Sequence, residues 1–190
     1  ELAIDPRFVE LFVREAHTLV QLGHPHIVPV YELGVVDGTY FLAMEYVEGV
    51  SIGELLAQGA LEAAQVAHVG AEVADALSYA HERFGLVHRD VSPRNVLVDT
   101  TGHVRLLDFG IAATVEGGVA IGIGSPGYAA PEQLRGEPPT PACDLFALGA
   151  LLHLLLTGRH AFHDRDPAIT RRRVLDEEGP TEADLSAHPP

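Results

Sequence analysis

The stretch Leu86-Val87-His88-Arg89-Asp90-Val91-Ser92-Pro93-Arg94-Asn95-Val96-Leu97-Val98-Asp99, followed by Asp108-Phe109-Gly110, decides the reading of this 190-residue chain. Thr101-Gly102 turns the segment between Val96 and Leu107 into a short hairpin. Asn95 lies five residues after Asp90, and Asp108 thirteen after Asn95. The hairpin therefore brings a carboxylate, an amide and a second carboxylate around one point. A carboxylate within hydrogen-bond reach can orient a hydroxyl and accept its proton. An amide oxygen beside a carboxylate suits Mg²⁺, which prefers oxygen ligands and few protein groups. Taken alone, Asp90 would read as a turn former or helix cap; the ordered set overrides that reading.

Outward from this stretch, the pattern alternates helices and short strands. Arg7 to Leu22 carries apolar residues at Phe8, Leu11, Phe12, Ala16, Leu19 and Val20, the spacing of a helix with one buried stripe, closed by Gly23. Ile27 to Val36 and Thr39 to Val47 read as strands joined at Asp37-Gly38. Glu48-Gly49 breaks the second strand. Ser51 then caps a short helix, with Glu54 at the capping-box position. Leu61 to Arg83 reads as a long amphipathic helix, and Cys143 to Thr157 as a helix apolar nearly all round, hence buried. A further helix is expected over Thr170 to Glu178. No internal repeat is present.

Composition narrows the function classes. The hydrophobic share of 47% with seven Phe and five Tyr suits one globular domain with a real core. A net charge of −15 argues against nucleic acid as a partner. The basic run Arg171-Arg172-Arg173 precedes Asp176-Glu177-Glu178 and reads as a solvated helix face. The single cysteine, Cys143, forbids an internal disulfide and fits a reducing, cytoplasmic compartment; buried packing is its expected role. The most apolar run, Leu145 to Thr157, is too short to span a membrane. His24-Pro25-His26 reads as a turn and not a zinc site.

The Asp90 loop, Asp108-Phe109-Gly110 and the later Gly124-Ser125-Pro126-Gly127-Tyr128-Ala129-Ala130-Pro131-Glu132 together resemble a protein kinase domain, most closely the Ser/Thr kinases of bacteria. The resemblance runs from near the start to about Phe162. It implies an α+β fold: a partial N-lobe of one helix and two strands, with the hinge, over residues 1–47, and a mainly helical C-lobe, incomplete at its end, over 48–190. It implies transfer of the ATP γ-phosphoryl to a protein Ser/Thr hydroxyl through Mg²⁺. Asp90 would be the base, and Asn95 and Asp108 the metal ligands. Met44 would be the gatekeeper, Glu45, Tyr46 and Val47 the hinge against adenine, and Ala43 and Leu97 the walls of the adenine slot. His88 would brace the loop, Asp144 would bond its backbone at His88 and Arg89, and Phe109 would pack under the helix bearing Glu15. Glu132 would await an arginine beyond Pro190.

Three departures stand beside the resemblance. All twelve Lys and Arg residues are arginine, and no glycine-rich loop precedes the first helix. Glu15 would normally serve nucleotide binding by pairing with a strand lysine; family spacing places that lysine just before Glu1, so a piece of a longer protein, weak or inactive alone, is expected. Ser92 replaces the usual loop lysine, and Arg94 is the candidate replacement cation, with Ser125 supplying the hydroxyl that bonds the base. Residues 115–123 hold no hydroxyl, leaving Thr114, Ser125 and Tyr128 as modifiable groups in a segment that Arg89 would otherwise order through a phosphate. The alternatives are a pseudokinase-type binding module, which the missing lysine favours, and a small-molecule phosphotransferase of the aminoglycoside type, which Ala130-Pro131-Glu132 disfavours.

Overall fold

The computed structural model describes residues 6–37, 39–59, 61–109, 124–176 and 179. Helix α1 spans Pro6–Leu19. It closes three residues earlier than the periodicity suggests. The Leu22 amide reaches back only to Leu19 O, at 3.0 Å, so the last turn tightens and the chain leaves the helix axis ahead of Gly23.

Strands β1 (Val30–Val36) and β2 (Thr39–Met44) form an antiparallel pair with Val36 opposite Thr39. Asp37 turns between them at φ 49°. The run predicted as one strand from Ile27 divides at Pro29, which has no N–H to donate. Upstream of it, Val28 N donates to Leu106 O (3.0 Å) and Leu106 N to His26 O (2.8 Å), so Ile27 and Val28 join the other sheet. That sheet has the order β3-β4-β5, with β3 at Gly49–Ser51, β4 at Val96–Asp99 and β5 at Val104–Leu106. The sequence at Glu48-Gly49, expected only to end a strand, begins a new one. Gly49 lies so close to β4 that a Cβ there would collide with Val98 O.

Helix α2 (Ile52–Gln58) starts as anticipated. Glu54 N donates to Ser51 Oγ at 3.2 Å, and Ser51 N donates to Glu54 Oε2 at 2.7 Å. Helix α3 (Ala63–Phe84) ends in left-handed Gly85, and α5 (Pro141–Thr157) in left-handed Gly158. A short α4 (Pro131–Arg135), not anticipated, lies between. Helix α6 covers Pro167–Leu175, three residues ahead of its predicted span. Its start is set by Asp166, whose carboxylate accepts from Ala168 N at 2.8 Å, with Pro167 in the first turn where no N–H is missed. Arg171 and Arg172 on it are exposed, and Arg173 pairs with Asp164 at 3.1 Å.

One core joins these elements. Val66, Val69, Val73, Leu77 and Ala80 of α3 pack with Ala147, Leu151, Leu154 and Leu155 of α5, and with Ala16 and Leu19 of α1, Val96, Val104 and Leu106 of the sheet, and Phe109. Burying each Leu contributes about 1.5–3 kcal/mol. The α3–α5 pair is the platform on which the loop between α3 and β4 rests. No described helix is long and apolar enough to cross a membrane.

Candidate active site

The loop from Leu86 to Asn95 hangs from one carboxylate. Asp144, in the first turn of α5, is fully buried. Its Oδ2 accepts from His88 N at 2.8 Å and its Oδ1 from Arg89 N at 2.7 Å. These bonds hold Arg89 at φ 71°, a left-handed conformation costly for a non-glycine residue. Gln133 Nε2 adds a bond to Arg89 O at 2.9 Å. A third donor to Asp144 is His81 Nε2, 2.7 Å from Oδ2. The sequence offered no reason to single out His81 among eleven histidines; an Asp on an apolar helix face does, however, demand a donor from a neighbouring element.

His88 has the bracing role its resemblance implies. It is completely buried, and burial pushes its pKa below the usual 6.5, so the ring is neutral. Nε2–H donates to Leu107 O (2.7 Å), which leaves Nδ1 to accept from Asp90 N (3.3 Å). Asn95 O accepts from Leu107 N at 2.8 Å. The residue before Asp108 is thus bonded to both His88 and Asn95, which sets Asp108, at φ 48°, beside the loop. Phe109 is buried against His88, ring centroids 4.6 Å apart, in the core cluster that includes α1.

Asp90 is held from three sides. Oδ1 accepts from Ser125 N (2.6 Å) and from Ser125 Oγ (2.8 Å), and Oδ2 accepts from Asn95 Nδ2 (2.9 Å). Asn95 Nδ2 also donates to Asp90 O at 2.9 Å. Arg94 Nη2 donates to Ser125 Oγ at 2.9 Å, so the hydroxyl accepts from a cation while donating to a carboxylate. The carboxylate is fixed in direction yet keeps acceptor capacity on Oδ2. Gly124 permits this closeness: a Cβ there would lie 2.9 Å from Arg89 O and 3.6 Å from Asp90 Oδ1.

This arrangement fits a divalent cation. Both donors of Asn95 are committed to Asp90, and among the described residues no donor reaches Asn95 Oδ1. Asp108 is exposed, one residue after Leu107, whose amide bonds Asn95 O. One amide oxygen and one carboxylate suit Mg²⁺, which takes few protein ligands and completes its shell with phosphate and water oxygens.

Other predicted residues fall less closely together. Met44 and Ala43 are half-buried on β2, Leu97 half-buried on β4 opposite Ser51 and Arg105, and Val47 half-buried between β2 and β3. Glu45 N donates to Pro29 O at 2.9 Å, and its carboxylate lies 3.7 Å from Arg105. Glu15 meets Arg89: Nη2 donates to Oε1 at 3.0 Å, both side chains largely buried. Ser92 is buried, and its Oγ has no partner among the described residues. Of the three hydroxyls in the 110–128 segment, Thr114 lies outside the described residues, while Ser125 and Tyr128 are buried. Burial also raises the Tyr128 pKa. Cys143 donates to Glu132 Oε1 at 3.1 Å, and burial lifts its pKa to about 11, in keeping with a packed and unreactive thiol. An apolar pocket of about 220 Å³ opens next to Ser125, lined by Gly124, Pro126, Ala129, Leu134, Thr170 and Val174 among others.

Comparisons with known proteins show the family. A family model described as the protein kinase domain matches residues 4–187. The chain is 36% identical over 186 residues to serine/threonine-protein kinase PrkC of Bacillus subtilis (strain 168), covering 95% of this chain and 28% of that protein. It is 37% identical over 182 residues to the probable serine/threonine-protein kinase pknA2 of Bifidobacterium longum, covering 93% and 24%. It is 42% identical over 169 residues to serine/threonine-protein kinase PknK of Mycobacterium bovis, covering 85% and 15%. The chain therefore spans between about a seventh and just over a quarter of the length of these curated relatives. It belongs to the protein kinase domain family.

Proposed function

We propose that this chain carries the phosphoryl-transfer half of a protein Ser/Thr kinase, moving the ATP γ-phosphoryl to a hydroxyl on a protein. The observation that carries the reading is the set of three bonds from Ser125 and Asn95 that aims the Asp90 carboxylate. Asp90 orients the substrate hydroxyl and accepts its proton through the free capacity of Oδ2. Asn95 Oδ1 and Asp108 would hold Mg²⁺, which when bound neutralises charge on the phosphates. Arg94 replaces the cation that Ser92 lacks; its bond to Ser125 keeps it near the base. The names of the relatives and the Ser125 hydroxyl on Asp90 favour Ser/Thr acceptors. The apolar pocket beside Ser125 would receive a substrate side chain next to the acceptor.

A second reading, a binding module without catalysis, has one observation in its favour: the chain contains no lysine. Calorimetric titration of ATP with and without Mg²⁺, on the chain and on Asn95→Ala and Asp108→Ala, separates the two. Binding that needs Mg²⁺ and disappears in both variants supports the kinase reading. Binding indifferent to Mg²⁺ and to both substitutions refutes the assignment of these ligands. Nucleotide binding that fails both in the chain and in a version extended about sixty residues upstream favours the binding module.

A further inference from the structure

The apolar pocket beside Ser125 has one charged residue in its wall. Helix α6 supplies Pro167, Thr170, Arg171 and Val174, which are spaced i, i+3, i+4 and i+7 and so share one helix face. The facing wall is the loop at Gly124 and Pro126, with Leu134 of α4. The run Arg171-Arg172-Arg173, one solvated face by sequence, divides in the structure. Arg173 pairs with Asp164 at 3.1 Å, and Arg172 is exposed and does not line the pocket. Arg171 lines it, is exposed, and its guanidinium meets no carboxylate among the described residues. We propose that Arg171 is a specificity-determining residue: it selects protein segments in which a carboxylate side chain lies close to an apolar one, the apolar group filling the pocket and the carboxylate meeting the guanidinium. That such a segment also carries the acceptor hydroxyl rests on the kinase reading; the selection of a carboxylate does not.

Three observations carry the assignment. The first is charge. Arg89, Arg105 and Arg173 are each matched by a carboxylate of the chain, at 3.0, 3.5 and 3.1 Å. Arg171 is not, in a chain with 27 Asp and Glu. The carboxylates just ahead of it are committed: Asp164 holds Arg173, and Asp166 accepts from Ala168 N at 2.8 Å to start α6. The second is position. Ser125, whose Oγ donates to Asp90 Oδ1 at 2.8 Å, lies between Gly124 and Pro126 of the pocket wall. A side chain in the pocket therefore stands next to whatever group Asp90 orients. An apolar pocket discriminates weakly by itself, and a polar group at its rim sets orientation and choice. The third is rigidity. Val174 is buried, and Thr170 Oγ1 accepts from Asp164 N at 2.8 Å, which fixes the face of α6 that bears Arg171. Gly127, at φ 83°, packs so closely that a Cβ there would lie 2.9 Å from His163 Cβ. The loop wall is thus tied to the segment that leads into α6. Both walls stand ready before a ligand arrives, so little ordering opposes binding.

The guanidinium presents a planar fork that matches a carboxylate. At an exposed rim the pairing is modest and salt-sensitive, so it governs the choice of partner more than the tightness of binding. The chain as a whole carries a net charge of −15 and attracts cationic segments, so a preference for an acidic one can come only from a local cation. An arginine that merely solvates a helix face would have no such preference. Reversing the charge at 171 must then reverse the choice, and reversing it at 172, which is off the pocket, must not.

The test uses the full chain and no nucleotide. Fluorescent peptides with the cores Glu-Leu-Ser-Leu-Glu, Gln-Leu-Ser-Leu-Gln and Lys-Leu-Ser-Leu-Lys are titrated by anisotropy at about 0.15 M salt, where long-range charge is screened. The cores are symmetric, so either chain direction places the same residues around Ser. The Glu peptide should bind about fivefold more tightly than the Lys peptide, with the Gln peptide between. Amide shifts of Gly127 and Thr170 in the isotope-labelled chain should move on binding. Arg171→Glu should reverse the order of the Glu and Lys peptides, Arg171→Gln should lose the Glu preference, and Arg172→Glu should keep it. Equal affinities for the three peptides, no binding of any, an order unchanged in R171E, or a reversal in R172E as large as in R171E overturns the proposal. If R171E does not fold, R171Q decides the question. Titration with Mg²⁺-ATP is separate. Failed nucleotide binding beside the expected peptide order counts against the kinase reading alone, and nucleotide binding without any choice among the peptides counts against Arg171 alone.

Discussion

Removing the Ser125 hydroxyl tests the bond network around Asp90 most directly. In Ser125→Ala, Asp90 Oδ1 loses a donor at 2.8 Å and Arg94 loses its acceptor at 2.9 Å. A hydrogen bond to a charged group contributes about 1.5–3 kcal/mol. The value belongs at the low end here, because Oδ1 keeps the Ser125 amide at 2.6 Å and Oδ2 keeps Asn95, so the carboxylate is not left bare. The Arg94 bond adds little, since that side chain is exposed and water replaces its acceptor. The expected loss is about 1.5–2 kcal/mol, or about 3–8 °C in Tm for a chain of this size. Thermal and urea unfolding of the parent, S125A and Ser125→Thr measure it. S125T retains the hydroxyl and should stay close to the parent. A Tm for S125A within about 1 °C of the parent, or an equal fall in S125T, would refute the claim that this hydroxyl holds the base.

Other perturbations follow from the same geometry. A double-mutant cycle on Glu15→Gln and Arg89→Gln should return a coupling of about 1 kcal/mol, above that of an exposed pair because both side chains are largely buried; a coupling near zero would mean that α1 is not tied to the loop. Gly124→Ala places a methyl 2.9 Å from Arg89 O and should cost about 1–3 kcal/mol, read as a lower urea midpoint, because backbone must move to admit it. Burial pushes the pKa of both His88 and His24 below 6.5, so the unfolded chain takes up protons before the folded one. Their contribution is therefore intact above about pH 6.5 and lost as pH falls toward their folded values; the urea midpoint should decline between about pH 7 and about pH 5, and His24→Gln should flatten part of that slope.

Much of this molecule is legible in the chain because its signals are local. The Ser51–Glu54 box starts α2 in the sequence and in the structure, since both partners lie within one helical turn. The order Asp90, Asn95, Asp108 marked the candidate site because a short hairpin returns Asp108 to the loop that carries Asn95, where Leu107 N bonds Asn95 O. Even Asp144 could be assigned, through the family pattern, to the backbone of His88 and Arg89. Where a boundary moved, a neighbour outside the local pattern decided it. Ile27 and Val28 were drawn away from β1 by Leu106, and β3 exists only because β4 offers an unpaired edge to Gly49.

The partner of a charged side chain was the part that sequence could not supply. Glu15, whose lysine partner family spacing places before Glu1, stands beside Arg89, 74 residues away. His81 and Asp144 are separated by 63 residues, and nothing in the spacing of either predicts the other. The sequence by itself determined the long helices, the β1–β2 hairpin and the family, because each of these is written in short-range pattern or in ordered motifs. Tertiary structure alone decided that His81 meets Asp144 and that Arg89 meets Glu15. A hydrogen bond depends on the distance and angle between two atoms, and those are set only after distant helices have packed into one core.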